Sequence, residues 1–373
     1  MLETLSKHRS SILIVLGLVA FIVYLAVFIR FDSLLKLLGS LNLEQYSLYY
    51  SIAIAALVLS VFFDSLIWYY LLEGLKVKMK LSKVFLYNWI GNFVEMVIPC
   101  ETVCGEVTRI YLSQKDTKSE VGTSAAPVIS SRILSTIVYT GGLFVGSMIL
   151  VTTQKLPLYL LGTLLLVSIG TLGMIGAIFY LALKDGAAEK LVDFVIGLTK
   201  IITKNQAKLE QRKEKLQKSL YSFTEAFQTY KKHPRLLIKP AIFAVIAWLF
   251  TLLIYLMVFY SLNFTSISIV DLAVVYCVSS TVETLTSGFP VGAVEITMIN
   301  LYSALNVPLV IAGAATTLTR LLTFWFQVLV GYPILQLTGL KHVLKSGFST
   351  KTLLGTQEPA SIRPKKRPRN ATD

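Results

Sequence analysis

The sequence is built from long apolar runs that carry no charge. The first covers residues 11–29, which are 19 uncharged positions. At a rise of ~1.5 Å per residue, a helix of that length nearly crosses the ~30 Å hydrocarbon core of a bilayer. Several comparable runs follow, and they are continuously apolar rather than alternating as in membrane β-strands. The pattern predicts an all-α polytopic membrane protein.

Composition excludes several other classes of protein. Apolar residues make up 54% of the chain and charged residues only 15%, whereas soluble domains carry about 25% charge. Three cysteines are too few for a disulfide framework. A soluble enzyme, a disordered chain and a disulfide scaffold are therefore excluded.

Six runs are long enough to be full transmembrane helices. They cover 11–29, 46–72, 124–151, 157–183, 237–262 and 309–337. Two further apolar stretches, 84–112 and 271–307, are interrupted by proline and glycine, which break helices. Pro99 lies in the first of these stretches and Pro290 in the second.

Basic residues predict how these segments cross the membrane, because cytoplasmic loops are enriched in Lys and Arg. Lys7 and Arg9 place the N-terminus in the cytoplasm, and lysines flank both ends of 84–112. Two crossings need about 40 residues, so this stretch is predicted to enter and leave as a re-entrant hairpin. The same reasoning places both ends of 271–307 outside. The fold is thus predicted to contain two oppositely oriented hairpins in an inverted repeat.

The predicted membrane domain covers residues 1–340, with a first half at 11–183 and a second half at 237–340. Between the halves, residues 184–235 form a predicted cytoplasmic helical loop with twelve Lys/Arg against six Asp/Glu. Residues 341–373 form a basic, disordered cytoplasmic tail with eight against two. Most of the net charge of +14 therefore lies beside the membrane, which indicates topology rather than nucleic-acid binding.

Ionisable groups inside the apolar segments are the candidate site residues, since they are costly in a membrane and usually functional. Arg132 follows Glu106 by 26 residues and Arg320 follows Glu295 by 25. Each arginine either forms a structural pair with its glutamate or binds an anionic head group, because guanidinium matches phosphate bidentately. The two roles are compatible.

Further residues of the interrupted stretches extend the candidate substrate site. They are Asn92, Glu95 and Pro99 in the first stretch, and Glu283 and Pro290 in the second. Arg109 and Asp271 are interpreted as interfacial, and Asp64 as a buried partner. Cys100 and Cys104 have CxxxC spacing without an accompanying histidine, so no metal, cofactor or catalytic residue is predicted.

These residues resemble the two signatures of the lysylphosphatidylglycerol synthase membrane-region family, also called flippase-like or UPF0104 membrane proteins. The first signature runs from Asn92 to Pro99, Glu106, Arg109 and Arg132. The second is PVGAVE at 290–295 followed by Arg320, Trp325 and Gly331. The resemblance implies lipid translocation. It does not imply aminoacyl transfer, because that activity of the family belongs to a separate soluble domain.

The function predicted from these observations is a flippase for an anionic or glycosylated lipid, either a phospholipid or a polyprenyl phosphate. Two alternatives remain open: a secondary transporter of small solutes and a membrane-embedded glycosyltransferase. The second lacks a DxD or other metal-binding acidic cluster in the sequence. We expect a multi-pass protein of the plasma membrane with both termini in the cytoplasm, membrane lipids as partners, no nucleic acid, and possible self-association as a homo-oligomer.

Overall fold

The computed structural model of the chain describes residues 41–97, 103–153, 206–285 and 292–338, with a few isolated positions elsewhere. Within these ranges the regular structure is helical and no strand occurs. In chain order the helices are α1 (Leu43–Gly74), α2 (Leu81–Val97), α3 (Val103–Thr117), α4 (Val121–Thr153), α5 (Gln206–Lys232), α6 (Ile238–Ser261), α7 (Ile269–Leu285), α8 (Ala293–Ala304), α9 (Leu309–Arg320) and α10 (Gln327–Leu337). A 3₁₀ turn, Pro234–Leu237, precedes α6, and a π-helical segment, Leu321–Phe326, joins α9 to α10.

Four helical segments are long and apolar enough to cross a membrane. They are Leu43–Gly74, Val121–Leu150, Pro234–Ser261 and Leu309–Leu337. They match the predicted spans at 46–72, 124–151, 237–262 and 309–337. The other two predicted spans, 11–29 and 157–183, lie outside the described residues apart from isolated positions.

The first of these helices, α1, begins after a capping asparagine and ends at a turn. The Asn42 side chain accepts a hydrogen bond of 3.0 Å from the Glu44 backbone N–H, which satisfies a donor that the first helical turn leaves free. After Gly74 the chain turns at Lys76, which has a positive φ of 59°. The apolar residues between these points make α1 a continuous helix.

The most extensive contact between described helices joins α1 to α6. Aromatic rings form much of it: Phe63 stacks on Phe250 with ring centroids 5.4 Å apart. Ser60 adds a polar contact, since its hydroxyl lies 2.8 Å from that of Thr251. Because α1 and α6 belong to different halves of the chain, this contact holds the halves together.

Each of the two interrupted stretches consists of a pair of short helices packed on each other, α2 with α3 and α7 with α8. The four helices have 17, 15, 17 and 12 residues. At ~1.5 Å per residue they reach about 18–26 Å, which is less than the ~30 Å core. The breaks between the helices, with Pro99 and Pro290, lie outside the described residues.

The second part of the predicted helical loop, 184–235, contains the long helix α5, and α5 packs against α4. Gly122 permits this approach, because a Cβ there would overlap the Ser219 carbonyl oxygen. The Tyr230 hydroxyl donates a 2.8 Å hydrogen bond to the Leu71 carbonyl of α1. Lys218 also pairs with Glu120 at 3.0 Å, and this hydrogen bond lowers the pKa of the Glu120 carboxyl. The second part of α5 is therefore docked on the membrane helices rather than fully solvated.

Candidate functional site

The first helix pair and α4 bring four charged side chains together. Arg132 of α4 lies 3.4 Å from Glu95 at the end of α2 and 3.7 Å from Glu106 at the start of α3. Arg109, one turn after Glu106 on α3, lies 3.6 Å from that same carboxylate. Neither Glu106 oxygen has a hydrogen-bond partner among the described residues. This cluster is therefore charge-balanced but loosely bonded.

Two glycines let α2 and α3 approach closely enough to form the cluster. A Cβ at Gly105 would lie 2.8 Å from the Gly91 carbonyl oxygen. Gly91 also leaves room for the Arg109 side chain, because a Cβ there would lie 2.5 Å from Nε and 2.8 Å from Cγ. The Arg109 guanidinium then reaches the Asn92 side-chain oxygen and donates a hydrogen bond to it.

A methyl group at Gly91 is therefore expected to destabilise the protein. Gly91→Ala must displace Arg109 from Asn92, and overpacking of this kind typically costs about 1–3 kcal/mol. The control is Gly141→Ala in α4, where an added Cβ meets nothing within 4 Å. Since alanine favours helix more than glycine does, the control should match or exceed the parent in thermal unfolding in detergent. Equal stability of the two variants would contradict the predicted clash.

The second helix pair and the helix after it build a tighter version of the same arrangement. Arg320 donates from Nε to Glu295 at 2.8 Å and from Nη1 to Glu283 at 3.0 Å. Glu295 lies in the first turn of α8 and also accepts a 2.6 Å hydrogen bond from the Gly292 backbone N–H. Gly292 has a φ of 102°, a conformation that glycine adopts without strain.

The two clusters share their sequence spacing but differ in exposure. Glu95 precedes Arg132 by 37 residues, and Glu283 precedes Arg320 by the same number. The Arg320 side chain is only 6% exposed, whereas that of Arg132 is 46% exposed. Arg320 is thus enclosed by two carboxylates, while Arg132 presents much of its guanidinium to open space.

That open space is a cavity of ≈ 290 Å³ between the helices. Both arginines line it, as do Asp64, Glu95 and Glu283. Its remaining wall combines aromatic rings and hydroxyl groups, contributed mainly by Tyr139, Trp248, Tyr255, Tyr276 and Ser279. Charged side chains next to aromatic rings can bind a polar group that is attached to an apolar molecule.

A polar bridge crosses from one half of the chain to the other beside this cavity. The Asn92 amide donates a 3.1 Å hydrogen bond to the Gln327 side-chain oxygen, and Gln327 in turn donates to the Thr323 carbonyl at 2.9 Å. Thr323 lies in the π-helical segment that follows Arg320. The wider π turn orients the start of α10 toward α2, and π turns often occur at functional sites.

The structure places most of the predicted site residues in one region. Arg132, Arg320, Glu95, Glu283 and Asn92 line the cavity. Glu106 and Glu295 lie behind them and contact the arginines. Pro99 and Pro290 lie outside the described residues.

Two further charged side chains are buried among the helices, and the prediction that they lie at the membrane interface stays a prediction. Arg109 is 8% exposed, because its guanidinium contacts Glu106 and Asn92. Asp271 is also buried, and it bonds to Ser268 at the start of α7 through both its backbone and its side chain. Asp64 is partnered as expected, since Asn88 donates to it at 2.9 Å.

The sequence reasoning missed Gln327 and Ser279. Gln327 lies seven residues after Arg320, which is two helical turns and hence nearly the same face, so its polar character in an apolar span was a usable signal. Ser279 precedes Glu283 by one turn, but serines are common in membrane helices and carry little information.

In the part of the chain that the structure describes, no group of three or more His, Cys, Asp or Glu side chains is arranged to hold a metal ion. Cys104 is disulfide-bonded. Cys277 is a free, buried thiol in α7.

Comparison with known proteins identifies the family. The profile described as the lysylphosphatidylglycerol synthase TM region matches residues 12–331 of the chain. The chain belongs to this family. The match spans both charged clusters and the cavity between them, and it makes the protein an integral membrane protein with several apolar helices.

Three archaeal relatives are similar over most of their length, and each is called a UPF0104 membrane protein. The relative from Methanocaldococcus jannaschii is 26% identical over 329 residues, which cover 87% of this chain and 93% of the relative. The one from Methanothermobacter thermautotrophicus is 23% identical over 341 residues, with coverages of 87% and 94%. The one from Pyrococcus horikoshii is 24% identical over 292 residues, with coverages of 75% and 84%.

Proposed function

We propose that the protein translocates a lipid with a phosphate-bearing, anionic head group, and that Arg132 binds that head group. The observation that carries the proposal is the exposed guanidinium of Arg132 in a cavity between membrane helices. Its contacts with Glu95 and Glu106, at 3.4 and 3.7 Å, are long for charge-assisted hydrogen bonds, which are usually 2.7–2.9 Å. A phosphate could take these donors without breaking a tight pair.

Membership of the family supports a function connected with membrane lipids. The family's name refers to lysylphosphatidylglycerol synthase, an enzyme of lipid modification. The proposal for this chain contains no chemical step and rests on Arg132 as the cation that binds the head group.

The size of the cavity supports a head group rather than a whole lipid. Pockets for small ligands occupy about 300–1,000 Å³, and ≈ 290 Å³ is at the lower end of that range. A glycerol phosphate group fits such a volume, whereas the two acyl chains of a phospholipid or the long isoprenoid chain of a polyprenyl phosphate do not. The apolar chains would therefore remain in the bilayer while the head group crosses through the protein.

We propose further that the two helix pairs are re-entrant hairpins entering from opposite faces, in a chain of six full spans. Each helix of a pair is too short to cross the core, so the pair returns to the side from which it came. Lys83, Lys115 and Lys118 flank the first pair, and residues 262–308 contain no Lys or Arg. Under the positive-inside rule the first pair then opens to the cytoplasm and the second to the exterior, with both termini cytoplasmic at the plasma membrane.

The repeated spacing supports the same architecture. Glu95 and Glu283 each lie two residues before the end of the first helix of their pair, and each is followed by an arginine 37 residues later. Inverted repeats of this kind place substrate sites near the membrane midplane, where the repeats meet.

The proposal is tested with purified protein in phosphatidylcholine vesicles that contain a trace of fluorescent lipid. Labelled phosphatidylglycerol and a labelled polyprenyl phosphate should equilibrate between leaflets, as dithionite quenching reports, whereas labelled phosphatidylcholine should not. Soluble glycerol 3-phosphate, included as radiolabelled solute, should remain outside. Uptake of the solute without movement of either anionic lipid would favour a solute transporter and overturn the proposal.

A further inference from the structure

The cavity and its two clusters contain more carboxylates than cations. Their five carboxylates, Asp64, Glu95, Glu106, Glu283 and Glu295, face the three guanidinium groups of Arg109, Arg132 and Arg320. With every group ionised the region carries a formal excess of two negative charges. An anionic head group bound at Arg132 would add to that excess inside a membrane, where unbalanced charge is costly.

From this imbalance we infer that the protein is a proton-coupled transporter in which Glu283 takes up one proton for each phosphate head group carried. The inference rests on the proposed function and names its coupling ion. A phosphodiester carries one negative charge, so a head group that moves together with one proton crosses without net charge. The proton leaves Glu283 when the head group is released on the other side.

Glu283 is the carboxylate best placed for this role. It shares the single guanidinium of Arg320 with Glu295, so two negative charges compete for one positive charge. Glu295 is the fixed partner, because it is 3% exposed and also accepts the Gly292 N–H. The Glu283 side chain is 40% exposed and faces the cavity.

Charged and polar groups face Glu283 from several surrounding helices. Arg320 and Glu295 face it from α9 and α8, and Tyr255 from α6. Glu95 of α2 also interacts with it electrostatically, but Arg132 and Arg109 already balance the charges of Glu95 and Glu106. Asp64 of α1 lines the same cavity and has Asn88 as its hydrogen-bond donor.

The buried hydroxyl of Ser279 offers a ligand a hydrogen-bonding group next to Glu283. Ser279 lies one helical turn before it on α7, lines the cavity and is only 2% exposed. Its hydroxyl has no hydrogen-bond partner among the described residues, and a buried hydroxyl without a partner is costly. A head group held between Arg132 and α7 would supply that partner and bring its negative charge close to Glu283.

Thermodynamic linkage then requires the proton and the head group to strengthen each other's binding. If a proton on Glu283 strengthens head-group binding, the head group strengthens proton binding by the same factor. A difference in pH between the two sides therefore becomes a driving force for lipid movement, and each pH unit is equivalent to a factor of ten per coupled proton.

The test uses the full-length protein in phosphatidylcholine vesicles with fluorescent phosphatidylglycerol as the probe. An imposed gradient of two pH units should shift the leaflet ratio of the probe from about 1:1 toward about 100:1, with the probe accumulating in the leaflet on the alkaline side. An imposed membrane potential should have no effect. Glu283→Gln should give a ratio near 1:1 at every gradient, whereas the control Glu73→Gln, which changes an exposed carboxylate at the end of α1, should respond like the parent.

Each of the remaining outcomes contradicts a stated part of the proposal. A parent protein that equilibrates the probe but ignores the pH gradient overturns the coupling and leaves the proposed function intact. Absence of equilibration under any condition overturns both. A response to a sodium gradient at equal pH overturns the proton as the coupling ion. A full pH response by Glu283→Gln overturns Glu283 as the coupling site. Because the parent response decides the coupling by itself, a variant that fails to fold does not leave the question open.

Discussion

Arg132→Ala is expected to reduce translocation of fluorescent phosphatidylglycerol to the level of protein-free vesicles, while the protein still folds and inserts. Arg132 is half-exposed and its two ion pairs are long, so its loss removes little native packing. Truncating one partner of a desolvated charge pair typically costs at least about 2 kcal/mol, which corresponds to roughly a 30-fold loss or more. Dithionite quenching measures the transport, and size-exclusion chromatography checks the fold.

Two further variants show whether the guanidinium shape matters. Arg132→Lys keeps the charge but not the planar fork of donors, so it should recover only a small part of the activity. Arg235→Ala removes an exposed arginine outside the cavity and should transport like the parent. Full activity of Arg132→Ala would remove this residue from the site. Full activity of an Arg132→Glu, Glu106→Arg exchange would assign it a purely structural role.

Arg320→Ala is expected to act mainly on stability. Arg320 is 6% exposed and holds Glu283 and Glu295 at 3.0 and 2.8 Å, so its removal leaves two carboxylates inside the membrane domain without their cation. Breaking a buried pair in this way typically costs about 3–5 kcal/mol. Thermal unfolding in detergent should show a large decrease for Arg320→Ala and little change for Arg132→Ala.

A compensated variant separates the loss of an arginine from the burden of unpaired charge. The triple variant Arg320→Met, Glu283→Gln, Glu295→Gln replaces all three charges by neutral groups of similar size. Buried ion pairs can often be replaced by such groups with little loss of stability, so the triple variant should unfold close to the parent. If it is as unstable as Arg320→Ala, packing of the guanidinium rather than charge balance determines the effect.

The sequence alone predicts the four described membrane helices well, since run length and lack of charge are enough to place a span. It also predicts that Arg132 and Arg320 occupy corresponding positions, because each follows a glutamate at nearly the same distance. Glu95 and Glu283 were assigned to the cavity on their position in the interrupted stretches, and both line it.

What the sequence could not supply is the difference between the two clusters. The spacing makes the arginines look equivalent, yet one is enclosed and the other open, because hydrogen-bond lengths and exposure depend on how α4 and α9 pack. The burial of Arg109 could not be predicted for a related reason. Its burial requires the gap at Gly91, and a glycine in a helical pattern does not reveal which neighbour fills the space beside it.

The π-helical segment after Arg320 fixes the rotational phase of the last described helix. An α-helix rotates the chain by about 100° per residue, and a π turn rotates it by less, because its hydrogen bonds span five residues instead of four. The segment therefore accommodates one extra residue while the helices on either side keep their faces. Deleting a single residue from Leu321–Phe326 would convert this turn to ordinary α-helix and leave Gln327 facing Asn92. A one-residue length difference inside a span usually disturbs a membrane protein throughout. At this position it would keep both the helix and the bridge between the two halves.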